Sequence, residues 1–387
     1  MVSIHDVINE LSDLKERNLF RSPPIVEAIG SKAIVNGKQK INFCTNDYLG
    51  LSSSRRVVAG TIQSLRTISQ CSSRLVAGNS PILLELEQTI ARHRKTEAGL
   101  LYPNGYMANL GLISTLSRNR ATIFSDELNH ASIIDACRLS RTNVKVFAHN
   151  DEEQLEKLLH STRGDKIVIT EGVFSMDGDL SKLDRICSIS KNYDATLIVD
   201  DAHGDFVFGQ PGSYAGIPEH FHVNERIDMS VSSLSKGLGC FGGYVACSNP
   251  IRELLINKSR QLIYTSALPE HLCVASLIAI PLALKGHLQK RLFRNIRLIT
   301  KGLAALGFSI GKSASQIIPV MIGDEKKAVN FASGLTNNGI FVQAIRYPTV
   351  SKGNARIRLS ITSDHTYTDI QVALNCFEYV GKRNGLI

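Results

Sequence analysis

The sequence predicts an α/β protein with a mostly parallel central sheet and a smaller α+β domain at the C-terminal end. Three observations carry this. Between about residues 50 and 250, apolar runs of strand length alternate with amphipathic helical stretches, the pattern of a parallel sheet covered on both faces. A long helical region, roughly 269–306, then gives way to a β-rich tail. The chain has 387 residues, 43% hydrophobic and 20% charged, which suits one large domain with a companion. On this reading an N-terminal helix and extended arm occupy 1–50, a large domain 51–285 and a small C-terminal domain 286–387.

The elements follow in order. Ile4, Val7, Ile8, Leu11 and Leu14 recur at helical spacing among acidic residues, which predicts a docking helix and not a signal peptide. Extended stretches at 33–35 and 41–44 end in the turn-like Asn46-Asp47-Tyr48-Leu49-Gly50. Strands are expected at 99–102, 121–125, 144–148, 167–170, 196–199, 229–232 and 243–247. Helices are expected between them at 81–94, 107–116, 130–139, 152–159 and 183–193. The tail supplies strands at 317–322, 341–345 and 356–361.

Composition narrows the class. The longest apolar run, 272–284, is short for a bilayer span and contains Pro281, so a cytoplasmic protein without membrane contact is expected. The eight cysteines are scattered singly, with no CxxC pair and no Cys/His cluster. Neither a disulfide framework nor a metal site is indicated. A net charge of +9 favours anionic partners. The basic residues form no run or aromatic-basic stripe, so nucleic acid is not expected. Phosphorylated cofactors and CoA-type substrates would use the same charge.

In a sheet of this kind, sites form beyond the carboxyl ends of the strands. The 196–199 strand runs into Asp200-Asp201-Ala202-His203-Gly204, and the 229–232 strand into Ser233-Leu234-Ser235-Lys236-Gly237-Leu238-Gly239. A lysine amine forms an imine with an aldehyde cofactor, and an aspartate keeps a pyridinium nitrogen protonated. Together Lys236 and Asp200 point to pyridoxal 5′-phosphate (PLP) as an electron sink. Taken singly, each is more simply a surface lysine or a capping aspartate. A phosphate needs amides at a helix start, and Pro103-Asn104-Gly105-Tyr106 supplies such a junction. Ser233 and Ser235 add hydroxyls, although the segment also reads as an ordinary β-α turn. His130 stands where a helix begins, either capping it or lying flat against a cofactor ring, and periodicity does not choose. Arg356 and Arg358 alternate in a strand and share a face. They form a fork for a carboxylate or are simply solvated.

Together these segments resemble the α-oxoamine synthases, PLP-dependent enzymes of fold-type I (aspartate-aminotransferase-like). The resemblance runs from about Leu14 to about residue 380. It is carried by Asn46 to Gly50, Ser73-Arg74-Leu75-Val76-Ala77-Gly78, Gly105-Tyr106-Met107-Ala108-Asn109 and Asn129-His130-Ala131-Ser132. Glu171-Gly172-Val173-Phe174-Ser175-Met176-Asp177-Gly178-Asp179, Val199 to Gly204 and Ser235 to Gly239 complete it. The resemblance implies that Lys236 carries the cofactor as a Schiff base, Asp200 binds the pyridine nitrogen, His203 lies near the phenolic oxygen and His130 stacks on the ring. It assigns Gly105, Tyr106, Ser175 and Ser233 to the cofactor site. Arg21, Asn46, Thr349 and Arg358 are assigned to substrate, with Arg358 on the amino-acid carboxylate. It also implies a homodimer with active sites at the interface, where Thr265 and Ser266 reach a phosphate in the partner's site. The substrates implied are an amino acid and an acyl thioester of CoA or an acyl carrier protein.

Local segments lean toward one substrate pair. Tyr264-Thr265-Ser266-Ala267-Leu268-Pro269 and Val342 to Val350 resemble members that join L-alanine to a pimeloyl thioester. Asp135 to Leu139 and Tyr347-Pro348 also suit members that join glycine to acetyl-CoA. Three departures stand out. Ser69-Gln70-Cys71-Ser72 replaces a glycine-rich run, Ser233 replaces a threonine, and Asp205-Phe206 replaces small residues.

Overall fold

The computed structural model describes residues 3–117 and 121–387. The chain divides into two compact units. One comprises the residues up to Thr45, Met176–Gly178 and Lys290–Ile387; the other comprises Asn46–Ser175 and Asp179–Gln289.

The first unit opens with α1 (Ile4–Glu16), capped by Ser3, whose side chain accepts from the His5 amide. None of its residues is buried. The apolar stripe that suggested docking, Ile4, Val7, Ile8 and Leu11, is exposed. Next come β1 (Val26–Ile29), β2 (Lys32–Val35) and β3 (Lys38–Asn42), an antiparallel meander.

The second unit begins with α2 (Arg55–Ser64) and α3 (Pro81–Arg94), the latter with proline in its first turn. Then strands and helices alternate. They run β4 (Ala98–Tyr102), α4 (Gly105–Leu116), β5 (Thr122–Asp126), α5 (Ala131–Ser140), β6 (Asn143–Phe147) and α6 (Glu152–His160). After these come β7 (Lys166–Glu171), α7 (Leu183–Asn192), β8 (Ala195–Asp200), α8 (Gly216–His220), β9 (Met229–Ser233) and β10 (Gly243–Cys247). Three helices close the unit: α9 (Asn249–Lys258), α10 (Arg260–Ile263) and α11 (Glu270–Ala283).

The seven strands form one sheet in the order β4-β10-β9-β8-β7-β5-β6. From β9 to β6 every pairing is parallel, while β10 runs antiparallel to β4 and β9. The central strands are buried along nearly their whole length: β8 is mostly apolar, while β9 alternates Met229 and Val231 with small buried serines. Leu100, Leu112, Ile123, Ile169, Ile198 and Val231 pack into one core with no exposed surface. Truncating a residue such as Ile198 to alanine would cost about 2–5 kcal/mol through lost burial and the cavity left behind. The sheet sets the site directly: β5, β7, β8 and β9 end on Asp126, Glu171, Asp200 and Ser233, all buried.

The helical region expected at 269–306 is broken. α11 ends at Ala283 with Pro281 in its last turn, and α12 (His287–Ala305) starts after Gly286. Gly286 has φ +80°, and a Cβ there would meet the Tyr214 hydroxyl at 2.6 Å, so both backbone and space require glycine.

The first unit resumes within α12, at Lys290, and continues with β11 (Ile317–Gly323), α13 (Glu325–Asn337), β12 (Ile340–Phe341), β13 (Ala344–Ile345), β14 (Ala355–Ser360) and α14 (Tyr367–Arg383). The strand expected over 341–345 is two short strands in different sheets. β12 lies parallel to β3, and β13 pairs with β14. That parallel pairing, with the Phe43 amide on Phe341 O and the Ser360 amide on Phe43 O, is why the arm up to Thr45 clusters with the C-terminal residues. Asn46 to Gly50, read as the end of the arm, falls in the larger unit. Phe308, Phe331 and Phe377 form the aromatic centre of the smaller unit, with ring centroids 5.6–5.7 Å apart.

Candidate active site

Lys236 follows β9 in a tight turn closed by the Gly239 amide on Lys236 O at 3.0 Å. Gly239 has φ +61°, and a Cβ there would meet Asp47 Oδ1 at 2.5 Å, so the residue three beyond the lysine must be glycine. The half-buried Lys236 Nζ lies 2.8 Å from His203 Nε2, and His203 Nδ1 lies 2.7 Å from the Tyr48 hydroxyl. Tyr48, fully buried, also donates to Asn46 Oδ1 at 3.1 Å. With the phenol proton on Asn46, His203 donates from Nδ1 to the Tyr48 oxygen and accepts the Lys236 ammonium at Nε2. This row joins three expected residues, Asn46, His203 and Lys236, through Tyr48, which sequence reading did not single out. Its place in the Asn46 to Gly50 segment was the available signal.

Asp200 ends β8, and Ala202 N donates to its Oδ1 at 3.0 Å. Asn109 Nδ2 donates to its Oδ2 at 2.6 Å. Beside it in register, Glu171 ends β7. Burial, then the nearby Asp200 charge, push the Glu171 carboxyl well above the ordinary carboxylate range, so it is held protonated. His130 is the N-cap of α5, its side chain accepting from Ser132 N. Burial lowers its pKa, opposed by Asp200 and reinforced by Lys236, and the imidazole is neutral near pH 7. The capping reading of His130 is seen directly, through Nδ1.

A second group of atoms meets where α4 begins. Asn104 caps the helix through Met107 N, and the first amides of a helix have no acceptor within it. Gly243 lets this turn approach β10, since a Cβ there would meet the Gly105 amide nitrogen at 2.3 Å. A Cβ at Gly105 would reach Ser233 Cβ at 3.4 Å. Ser233 Oγ is 2.8 Å from Ser235 Oγ and receives the Ser235 amide at 3.3 Å. Amides and hydroxyls with no carboxylate among them form a cradle for a phosphate. An acid, an amine bonded to an imidazole, and this cradle match the nitrogen, aldehyde and phosphate of PLP, so the residues present fit that cofactor. Tyr106 is largely exposed at the rim, with its hydroxyl on Asp135 and its ring edge-on to His130. Ser175 is buried just beyond β7.

Beneath the turn that carries Asp200 and His203 lies a charge cluster that sequence reading missed. Arg94 donates to Asp201 Oδ2 (2.9 Å), Asp205 Oδ1 (3.1 Å) and Ala215 O (2.9 Å). Asp205 is also held by His93 Nε2 at 2.8 Å, Ser232 Oγ at 3.0 Å and the Tyr244 hydroxyl at 2.5 Å. Burial raises the Asp205 pKa, but His93 and Arg94 outweigh it and hold it down to about 2. Burial prevails at Asp201, which is pushed up to about 7. The partners are far apart in sequence, so only the unusual Asp205-Phe206 pair hinted at the cluster.

The substrate candidates of the smaller unit are placed as follows. Arg21 donates to Thr349 Oγ1 at 3.0 Å, so those two meet. Arg358, half-buried on β14, donates to Ser360 Oγ at 2.9 Å. Its neighbour on that face, Arg356, is engaged by Asp177 at 2.5 Å, so the fork suggested by the alternation is not shared. Thr265 and Ser266 lie elsewhere in the larger unit, where Ser266 bridges to Ser73. Among the described residues, no group of three or more His, Cys, Asp or Glu is disposed to hold a metal ion, and no single helix is long and apolar enough to cross a membrane.

Known proteins resemble the chain along nearly its whole length. The pattern of the family "aminotransferase class I and II" matches residues 38–377. The 8-amino-7-oxononanoate synthase of Thermoanaerobacter pseudethanolicus is 39% identical over the whole of both chains. A serine palmitoyltransferase from S. paucimobilis with a bound PLP–myriocin aldimine superposes with a TM-score of 0.93 at 30% identity, covering 99% of this chain and 98% of that one. The 8-amino-7-oxononanoate synthase of Francisella tularensis has a TM-score of 0.75 at 30% identity, covering 89% and 99%.

Proposed function

The chain belongs to the aminotransferase class I and II family and, within it, to the PLP-dependent α-oxoamine synthases, and from that premise we propose that it condenses L-alanine with a pimeloyl thioester. The products are 8-amino-7-oxononanoate, carbon dioxide and the free thiol, a step of biotin synthesis. The observation that carries this reading is the meeting of Lys236, His203 and Tyr48 beside Asp200 at the carboxyl ends of β8 and β9, in a chain whose full-length relatives bear that enzyme's name.

PLP, when bound, supplies the electron sink that makes the amino-acid Cα acidic. The protein's residues do the rest. Lys236 Nζ would anchor the cofactor and, as a free amine, would take the Cα proton. His203 Nε2 holds that amine in place. Asp200, fixed by Asn109 and Ala202, would hold a proton on the ring nitrogen. The amides of Gly105 and Tyr106 and the hydroxyl of Ser233 would bind phosphate, Ser175 would line the pocket, and His130 would pack the ring. A new Cα–acyl bond replaces the thioester C–S bond, the thiol leaves with a proton, and loss of the carboxylate as CO2 gives the amino ketone after a proton returns to Cα. Arg21, Asn46, Thr349 and Arg358 are proposed for substrate, with Arg358 on the amino-acid carboxylate.

We also propose a cytoplasmic homodimer in which Thr265 and Ser266 serve the partner's phosphate site. The alternative, glycine with acetyl-CoA, is a 2-amino-3-ketobutyrate CoA ligase reaction. One assay separates the two: thiol release from acyl thioesters of CoA and carrier protein, with alanine, glycine and serine as acceptors. A higher kcat/KM for glycine with acetyl-CoA than for alanine with either pimeloyl thioester would replace the biotin reading with the ligase.

A further inference from the structure

Asn109 and Ser132 lie behind the candidate site, each with 1% of its surface exposed. Asn109 Nδ2 donates one proton to Asp200 Oδ2 at 2.6 Å and the other to Ser132 Oγ at 2.9 Å. The amide orientation is dictated by chemistry: reversed, its oxygen would sit 2.6 Å from a carboxylate oxygen. The Asn109 Oδ1 that faces away is buried without a partner, a cost that the two donated bonds must outweigh.

The direction of the remaining bonds follows. Ser132 Oγ accepts from Asn109, and because the Ser132 amide donates to His130 Nδ1, that nitrogen is an acceptor and takes the Ser132 hydroxyl proton as well, at 2.7 Å. The Ser132 amide points at the same nitrogen from 3.2 Å. A nitrogen that accepts from two donors carries no proton, so the imidazole proton is on Nε2.

We propose that Asn109 and Ser132 are positioning residues that lock His130 as the neutral, Nε2-protonated tautomer through a directed hydrogen-bond chain beginning at Asp200. Protonating Nδ1 would break two bonds at once. The chain therefore works with the other groups around the ring: Lys236 beyond β9 opposes a second charge, Asp200 on β8 and Asp135 on α5 favour it, Glu171 on β7 is held neutral, and Tyr106 on α4 presents its ring. The consequence is that His130 meets its ligand as a hydrogen-bond donor from Nε2 and never as an acceptor there. This concerns protons and not turnover, so it stands or falls independently of the substrate assignment.

The test is long-range proton–nitrogen correlation NMR on PLP-loaded protein labelled with 15N-histidine, with His130 assigned by the signals lost in His130→Gln. Among eleven histidines, His130 should show an unprotonated Nδ1 and a protonated Nε2, and should not take up a second proton between pH 8 and 6. A proton on Nδ1 in the unmodified protein overturns the proposal without recourse to any variant. Ser132→Ala should yield a mixed tautomer population and an upward-shifted titration, while Ser132→Thr, which keeps the hydroxyl, should restore the wild-type pattern. Asn109→Ala should act in the same direction as Ser132→Ala. A Ser132→Ala protein with bound PLP, unchanged tautomer and unchanged titration would also overturn it, since a merely structural serine would behave that way.

Discussion

His149 offers a test in which the structure sets both sign and size. Its Nδ1 lies 3.0 Å from Asp126 Oδ1 at the end of β5, and its Nε2 lies 2.8 Å from Asp179 Oδ2. The ring edge packs on Phe174 with centroids 4.3 Å apart. Asp179 O receives the Phe174 amide at 3.0 Å, so this clasp helps bracket Ser175. Burial alone would lower the His149 pKa, but the two carboxylates outweigh it and raise it from 6.5 to about 10. At about 1.36 kcal/mol per pH unit the full coupling approaches roughly 5 kcal/mol. The ring is 21% exposed, and solvent screening reduces this to roughly 2–3 kcal/mol. Because the folded-state pKa is the higher one, this stabilisation is complete below about pH 6.5 and is lost as pH rises through about 10.

His149→Gln keeps a polar side chain of similar reach and removes the charge. Thermal and urea unfolding of both proteins at pH 6, 8 and 10.5 should show the variant weaker by roughly 2–3 kcal/mol at pH 6, with the gap closing to within about 1 kcal/mol at pH 10.5. Other groups titrate in that range, but they do so in both proteins and cancel in the difference. A gap that stays constant, or widens with pH, would refute the idea that a charged His149 bridges the two aspartates.

The remaining predictions concern the site and its support. Borohydride reduction of purified, PLP-loaded protein should abolish its yellow colour, and peptide mass spectrometry should locate a pyridoxyl group on Lys236; a pyridoxyl group on another lysine would refute the assignment. Asp200→Asn should keep covalent cofactor binding but lose about 10²–10³-fold in kcat, and undiminished turnover would mean that another group protonates the ring. Asp205→Ala strips the shared partner of Arg94, His93, Ser232 and Tyr244 and should destabilise the larger unit by about 3–5 kcal/mol, read as a lower unfolding midpoint. Alanine differs from glycine by one methyl, worth about 1–3 kcal/mol or roughly 10–200-fold in kcat/KM, so slow glycine turnover beside efficient alanine turnover agrees with the proposed substrate.

Residues whose role is set by their place in the sheet were legible in the sequence. Asp200 closes the apolar β8 and Lys236 stands three residues past β9, and the rule that sites form at carboxyl ends does not depend on knowing which strands are neighbours. Strands such as β7, β8 and β10 were recognisable from their apolar runs, while the edge strand β6, with Lys145 in its middle, and the serine-rich β9 showed in their alternation with helices. What could not be read was anything set by pairing across the chain. Nothing local in His93 or Arg94 reveals that Asp205, more than a hundred positions later, closes on them. The single strand expected over 341–345 failed for a related reason. Its apolar pattern was right, but β12 and β13 join different sheets, and no local pattern records a change of partner. His130 was ambiguous because capping and ligand contact engage different nitrogens of one ring, so both uses fit the same sequence.

Two of the three departures from the family pattern fall at left-handed backbone positions. Cys71 stands where a glycine-rich run is usual and has φ +52°; Phe206 stands where small residues are usual and has φ +62°. At both positions the chain adopts the left-handed conformation that glycine takes freely, at a cost of about 1–2 kcal/mol for a residue with a Cβ. At Phe206 the compensation is visible. Its ring is 1% exposed and stacks on His93 with centroids 4.1 Å apart and planes parallel to within 1°. The same His93 binds Asp205, and Gln289 donates to Phe206 O at 2.7 Å. Asp205, Phe206 and His93 therefore act as one set: the aspartate fixes the histidine, and the histidine supports the ring. These contacts lie behind the turn, while Asp200 and His203 use its other atoms for Asn109, Ala202, Tyr48 and Lys236. The substitution thus changes how the turn is anchored and leaves intact the groups that would hold the cofactor.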